Sequence, residues 1–336
     1  KRFAPNPESF EIEFRGEEGT GRGPTHEFFT HFSRMFSEIK CGLFRHTTSH
    51  EDGEVQYCSD PLGLFPSFEA NPELFTILGI LCAKALQMEC LIDLYINPAF
   101  FKLCRNKMVD LSEVDPQIAS SLEKKEDFIG FPSFEFMNHE LIPNGSEKEV
   151  TEENVDQFID LIRDLIVGTG IQKCVDSFMN GFEQVMSFKS LNIFTENEIS
   201  LLLCGSLTVN ITEDDFEHNI IYENGYSKDS STITKFKEIV LYEMTQEDQQ
   251  ALIQFITGFN RLPLDGLVSV RPILSISQMV PLTKNPNENN QQNIDSLLPT
   301  VSTCLNSLKL PPYSTKEIMK EKLLMAIREG LGFQKL

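Results

Sequence analysis

Positive charge is scarce in this chain. Only 29 lysines and arginines stand against 50 aspartates and glutamates, a formal net charge of −21. Holding nucleic acid through its phosphates takes clustered Lys and Arg, so no nucleic-acid partner is expected; an acidic balance suits a partner with a basic surface or tail. Long apolar runs are missing too. The longest, LFTILGILCAKAL at 74–86, carries Lys84 and falls short of the ~20 residues that span a bilayer. No membrane partner is expected. The opening KRFAPNPESF has basic residues with no apolar core behind them, unlike a secretory signal. The eight cysteines, at 41, 58, 82, 90, 104, 174, 204 and 304, form no dense framework and read as reduced thiols. The expected location is therefore intracellular, cytoplasmic or nuclear. Histidine is the last scarcity: all six, at 26, 31, 46, 50, 139 and 218, precede residue 219.

What is present is ordinary for a globular protein of 336 residues, with 40% hydrophobic and 24% charged residues. Helix starts are legible. Asn71-Pro72 sets a cap and a first-turn proline before LFTILGILCAKAL. Thr195 and Glu198 form a capping box before ISLLLC, and Gly205 stops that helix. The stretch to about 205 reads as mainly helical, with Phe-rich pieces such as FPSFEFM as candidate strands. A boundary is expected near 205–210, and the remainder reads as mixed α and β. Ile233, Phe236, Ile239 and Val240 mark one helix there, and Leu252, Phe255 and Ile256 another that ends at Gly258. LVSVRPILSI and CLNSLKL read as strands, the latter because Leu308 and Leu310 alternate with Ser307 and Lys309. Ser314 and Glu317 are placed as the capping box of a last helix. The Asn/Gln-rich segment 284–293 reads as a flexible surface loop.

Two candidate chemistries fail on spacing. Cys41-x4-His46-x3-His50-x7-Cys58 offers thiolates and imidazoles, but both histidines and an acidic turn separate the cysteines, where zinc knuckles hold each Cys pair close. No metal is expected. GEEGTGRGPTHEFF at 16–29 lacks the phosphate-loop pattern and places Glu17-Glu18 where they would repel phosphate; it reads as a tight turn into a helix near Thr25.

Cys304, in LLPTVSTCLNSLKLPPY at 297–313, lies between the polar run KNPNENNQQN and a strand. A cysteine is commonly a small buried apolar residue. A cysteine hydrolase would need an imidazole within reach of the thiolate, and no histidine follows 218. Thioester exchange needs no strong base, because the leaving group is good and a cysteine already has some thiolate at neutral pH. Acyl exchange at Cys304 is favoured over hydrolysis, and the residues alone leave both open.

Leu298, Pro299, Thr303, Cys304, Asn306, Leu308, Leu310, Pro311 and Tyr313 together resemble the active-site segment of HECT-type ubiquitin ligases. GEEGTGRGPTHEFF, LCAKALQMECLIDLYINPAFFK and LIQFITGFNRLPLDG resemble further signatures of that family, so the resemblance covers essentially the whole chain. GTGRGPTHEF is similar to the branch containing the ubiquitin-fusion-degradation ligases. One departure is Ser302, where many members carry histidine. The resemblance implies an α+β, bilobal fold: a larger, mostly helical N-lobe over 1–205 that binds a conjugating enzyme, a hinge over 206–209, and a smaller α/β C-lobe over 210–336 with the catalytic cysteine.

It also implies the chemistry. A charged ubiquitin-conjugating enzyme docks, Cys304 takes ubiquitin as a thioester, and a lysine of a protein substrate attacks it, with no cofactor. Thr303 and Asn306 orient the thiol segment, Leu298 and Pro299 shape its approach, and Phe333 stands where the family carries a phenylalanine needed for ligation. The helix TEENVDQFIDLIRDLIV, with Thr151 as its cap, brings Phe158 and Ile162 to the conjugating enzyme, with Leu122 from the preceding segment; an aromatic anchor is the usual hot spot. Gly205, Ser206, Leu207, Thr208 and Val209 are the hinge, since the second lobe must reorient between partners. The alternative to an active ligase is an inactive module that binds ubiquitin or its conjugating enzyme.

Overall fold

A computed structural model describes residues 12, 22–45, 48–52, 55–206, 209–258, 261–279 and 291–332, by backbone alone at 22–24, 26, 27, 48–52, 304, 331 and 332. The chain divides into two compact units. The first holds Phe32–Leu203; the second runs from Cys204 onward together with the part of α1 (Arg22–Ser37) through His31.

The first unit is mostly helical. After α1 come two small antiparallel pairs, β1 (Phe44–Arg45) with β4 (Phe65–Pro66) around β2 (Thr48–Asp52) with β3 (Val55–Ser59). α2 (Pro72–Met88), α3 (Pro98–Cys104) and α4 (Pro116–Leu122) start alike. Asn71, Asn97 and Asp115 each accept a first-turn N–H on the side-chain oxygen, and proline follows, where its missing N–H costs nothing. β5 (Glu135–Phe136) pairs with β6 (His139–Glu140), then come α5 (Val155–Val167), α6 (Thr169–Phe182) and α7 (Glu196–Cys204). α2 and α6 approach so closely that a methyl on Gly79 would collide with the Phe178 carbonyl, and one on Gly181 with the Thr76 carbonyl. Glycine at both positions permits this crossing. Around it Phe100 meets Phe178 edge to face at 5.0 Å, and Phe182 meets Phe188 at 5.1 Å.

The second unit wraps helices around one sheet. Its elements are β7 (Ile221–Glu223), α8 (Ser231–Glu238) running on into a π-helical turn (Ile239–Glu243), α9 (Gln246–Thr257), β8 (Ser275–Gln278), α10 (Gln291–Ser296), β9 (Thr300–Ser302), β10 (Ser307–Leu310) and α11 (Lys316–Gly332). The strand order is β7-β8-β10-β9, with β7, β8 and β10 parallel and β9 antiparallel to β10. Ile276, Leu308 and Leu310 join Ile239, Met319 and Leu323 in a core that excludes water from all six side chains.

Several local expectations shift. LVSVRPILSI gives only the strand Ser275–Gln278, because Gly266 enters the left-handed region at φ 72° and a 3-10 turn takes Gly266–Ser269. α5 starts at Val155 rather than after Thr151: the Asn154 side chain accepts the Thr151 N–H and forms a turn first. FPSFEFM gives only the two residues of β5. α11 is capped by Thr315, whose hydroxyl accepts the Ile318 N–H, while Ser314 bonds elsewhere. Within the Asn/Gln-rich segment, 291–293 begin α10 and 284–290 lie outside the described residues. Among the described residues no helix is long and apolar enough to cross a membrane.

Candidate active site

β9 and β10 form a hairpin in which Thr300 faces Lys309, Val301 faces Leu308 and Ser302 faces Ser307. One 3-10 turn, Thr303–Leu305, connects the strands, and the backbone of Cys304 is its midpoint. The turn ends because Asn306 enters the left-handed region, at φ 48° and ψ 44°, where asparagine is better tolerated than most residues with a Cβ. Asn306 is buried, 6% exposed. Its Nδ2 donates to the Pro272 carbonyl at 2.7 Å, and its own carbonyl accepts the Ser275 N–H at 3.0 Å. The tip is thus fastened to the start of β8.

The neighbours of Cys304 face outward. Thr303 is exposed, and a Cβ on Gly258, the left-handed cap of α9, would lie 3.9 Å from its methyl. Leu305 is 61% exposed, and Ile221 and Ile273, at the same ends of β7 and β8, are exposed as well. Pro299 is buried and Leu298 half-buried. His218, the last histidine, is exposed and pairs with Asp214 at 2.9 Å on the π-helical turn Asp215–Asn219, away from the hairpin in sequence and element.

The other thiols sit in different settings. Cys58, Cys82, Cys90, Cys104, Cys174 and Cys204 are buried, and Cys41 is half-buried. Burial pushes the thiols of Cys41, Cys58, Cys82 and Cys104 up, and that of Cys174 to about 11. A raised thiol pKa removes the nucleophilic thiolate at neutral pH.

The expected conjugating-enzyme contacts require correction. Leu122, Phe158 and Ile162 are 2%, 1% and 1% exposed. Phe158 is the hub of a ring cluster, with Phe134 at 5.2 Å, Phe128 at 5.9 Å and Phe131 at 6.3 Å. It is a core residue rather than an exposed anchor. Phe131 of this cluster is exposed, as are Ile129 and Met137, which flank it in sequence. Sequence reasoning missed them, although the Phe-rich run at 128–137 was their signal.

Of the hinge residues, Gly205 has φ 75° and Ser206 pairs with Leu262, its N–H donating at 2.7 Å. Val209 is 1% exposed in the core of the second unit. Leu207, Thr208 and Phe333 lie outside the described residues.

The backbone of Cys304 thus lies at the tip of a hairpin fastened by backbone and amide contacts. The HECT-domain (ubiquitin-transferase) family model matches residues 25–335, and the chain belongs to that family. It is 34% identical over 368 residues to E3 ubiquitin-protein ligase UPL4 of Arabidopsis thaliana, covering 96% of this chain and 24% of the relative. It is 29% identical to Ubiquitin fusion degradation protein 4 of Saccharomyces cerevisiae, covering 98% and 24%. To E3 ubiquitin-protein ligase TRIP12 of Danio rerio it is 32% identical, covering 95% and 18%. The chain thus spans a quarter or less of the length of these relatives, and the expected ubiquitin-fusion-degradation branch agrees with the name the Saccharomyces cerevisiae relative carries.

Proposed function

We propose that this chain is the catalytic part of a ubiquitin-protein ligase. The observation that carries it is Cys304 at the tip of the β9–β10 hairpin, between exposed Thr303 and Leu305, within a chain matched to the HECT family from 25 to 335. The Cys304 thiolate attacks the carbonyl of the conjugating enzyme's ubiquitin thioester and the enzyme's own thiolate leaves. A substrate lysine amine then attacks the new thioester, an isopeptide bond forms, and Cys304 departs as thiolate and regains a proton. Exposed Leu305, Ile221 and Ile273 offer an apolar seat beside the acyl group. The conjugating enzyme docks on the exposed Ile129, Phe131 and Met137 surface of the first unit, and the acidic chain favours a partner with a basic face. Gly205 to Val209 serve as the hinge that lets the thiol meet two partners in turn. Phe333 supports ligation near the C-terminal end of α11. Reduced thiols fit a cytoplasmic or nuclear setting.

The test is incubation with a charged conjugating enzyme. A ubiquitin adduct that reducing agent removes and Cys304→Ala abolishes is expected. Its absence across a broad panel of conjugating enzymes would leave a binding module, and release of free ubiquitin from a peptide-linked substrate would point to hydrolysis.

A further inference from the structure

The open end of the β9–β10 hairpin is closed by contacts that the acyl-transfer chemistry leaves unused. β9 is a three-residue outer strand paired only with β10 among the described residues. Upstream of it, α10 has six residues, too few to hold a helix alone. Something else must fix this stretch.

Asp295 is the centre of what does. Its Oδ1 accepts the Ser314 N–H at 2.9 Å and Gln291 Nε2 at 3.0 Å, and its Oδ2 accepts the Ser314 hydroxyl at 2.5 Å. Gln291 Nε2 also donates to the Pro312 carbonyl at 3.1 Å. Beside them the Tyr313 hydroxyl donates to the Leu297 carbonyl at 2.7 Å, from a side chain only 2% exposed. Lys235 of α8 holds the other face, donating to the Ser314 carbonyl at 2.8 Å and the Tyr313 carbonyl at 3.2 Å. The residues just before β9 are therefore tied to those just after β10. Ser314 could have capped α11, but Thr315 does so and the Ser314 hydroxyl turns to Asp295.

We propose that this clasp positions the Cys304 turn for acyl transfer, with Asp295 as its positioning residue and Ser314 and Tyr313 as its partners. The proposal rests on the ligase function above. Pinning both ends of the hairpin leaves the tip one placement, and misplacing a reacting atom by about 1 Å costs rate without weakening docking. Burial works to raise the Asp295 carboxyl, yet the Ser314 hydroxyl and N–H, Gln291 and the charge of Lys235 hold it below the ordinary carboxylate value. The clasp thus contains a carboxylate, which strengthens its hydrogen bonds.

Asp295→Ala, Ser314→Ala and Tyr313→Phe are compared in the full chain by two measurements. Amide hydrogen exchange over 300–306 is expected to quicken in each while exchange in α9 stays unchanged. The limiting single-turnover rate of Cys304 thioester formation is expected to fall about tenfold in Asp295→Ala and Ser314→Ala, which lose charge-assisted bonds, and roughly threefold in Tyr313→Phe, which loses a neutral one, with the half-saturating concentration of charged conjugating enzyme unchanged. Asp295→Asn, whose amide oxygen still accepts the Ser314 N–H, should recover part of the rate. Should Asp295→Ala loosen the whole unit, Tyr313→Phe keeps the ring and removes one bond, so it still decides. Unchanged exchange and unchanged limiting rate in Tyr313→Phe and Ser314→Ala would overturn the proposal. A wild-type chain that forms no thioester would refute the ligase function, and the exchange measurement would still decide the clasp.

Discussion

Asn306 offers the sharpest test of how the Cys304 turn is held, because it combines a left-handed backbone with a buried donor. Asn306→Gly keeps the conformation at φ 48° and removes the amide that reaches the Pro272 carbonyl at 2.7 Å. Losing a partner at a site 6% exposed costs about 1–3 kcal/mol. Asn306→Ala loses the same bond and adds the strain of a Cβ in the left-handed region, roughly 1–2 kcal/mol. The alanine variant should therefore lose about 2–5 kcal/mol.

Asn306→Asp separates the two contributions. Aspartate tolerates the left-handed region as asparagine does, but it sets a carboxylate oxygen against the Pro272 carbonyl where a donor stood. Urea unfolding at neutral pH should rank the wild type above Gly, Gly above Ala, and Asp no better than Ala, and the rate of Cys304 thioester formation should follow the same order. An aspartate variant as stable as wild type would show that the Nδ2 bond does not hold the turn. A glycine variant less stable than alanine would show that the left-handed backbone is not strained.

Other perturbations address the first unit and the junction. Burial opposes ionisation of Glu196, but hydrogen bonds from Lys107 and Arg105 outweigh it and bring the carboxyl from the ordinary 4.5 to about 2. Its folded pKa lies below the unfolded value, so its stabilisation is complete above pH 4.5 and is lost as pH falls through about 2. Thermal melts across that window should fall steeply for the wild type and less so for Glu196→Gln; equal slopes would dismiss the ion pairs. Phe131→Ala should weaken conjugating-enzyme binding about tenfold with little loss of stability, whereas Phe158→Ala should cost about 3–5 kcal/mol of stability; the reverse pattern in a binding titration and a urea melt would restore Phe158 as the anchor. Ser206→Pro with Leu207→Pro removes the Ser206 N–H bond to Leu262 and stiffens the junction. Thioester transfer should slow while both units stay folded, and normal transfer in a folded double variant would remove the hinge.

Local chemistry made part of this molecule legible. Asn71-Pro72 announced α2 and the Thr195–Glu198 box announced α7, because each signal and its partner atoms lie within one turn. The alternation of Leu308 and Leu310 gave β10 for the same reason. Misplacements came where a distant or competing partner decides. Thr151 carries the composition of a cap, but the Asn154 side chain takes its N–H. The broad apolar face of α5 looked wide enough to spare Phe158 for a partner, and rings from 128–134, outside its own helix, cover it. The hairpin that carries Cys304 was announced by the alternation after it. The Asn306–Pro272 and Asp295–Ser314 contacts span 34 and 19 positions and leave no periodic trace.

These long-range contacts bear on how the proposed site would work without a histidine partner on its own hairpin. Acyl exchange between two thiols is close to balanced in energy and has a good leaving group, so a strong base adds little. Placement then becomes the larger part of what the protein supplies. The distribution of thiols fits that division: burial raises the pKa of Cys41, Cys58, Cys82, Cys104 and Cys174, while the turn that carries Cys304 is flanked by exposed Thr303 and Leu305. If activation dominated, introducing histidine at Ser302 would raise the limiting rate of thioester formation severalfold and bend its pH profile near the ordinary imidazole pKa of about 6.5. If placement dominates, Ser302→His should leave the limiting rate within about twofold of wild type, and loosening Asn306 or Asp295 should lower it. A strong gain from the histidine would overturn the primacy of placement, and the two measurements can be made on the same preparation of charged conjugating enzyme.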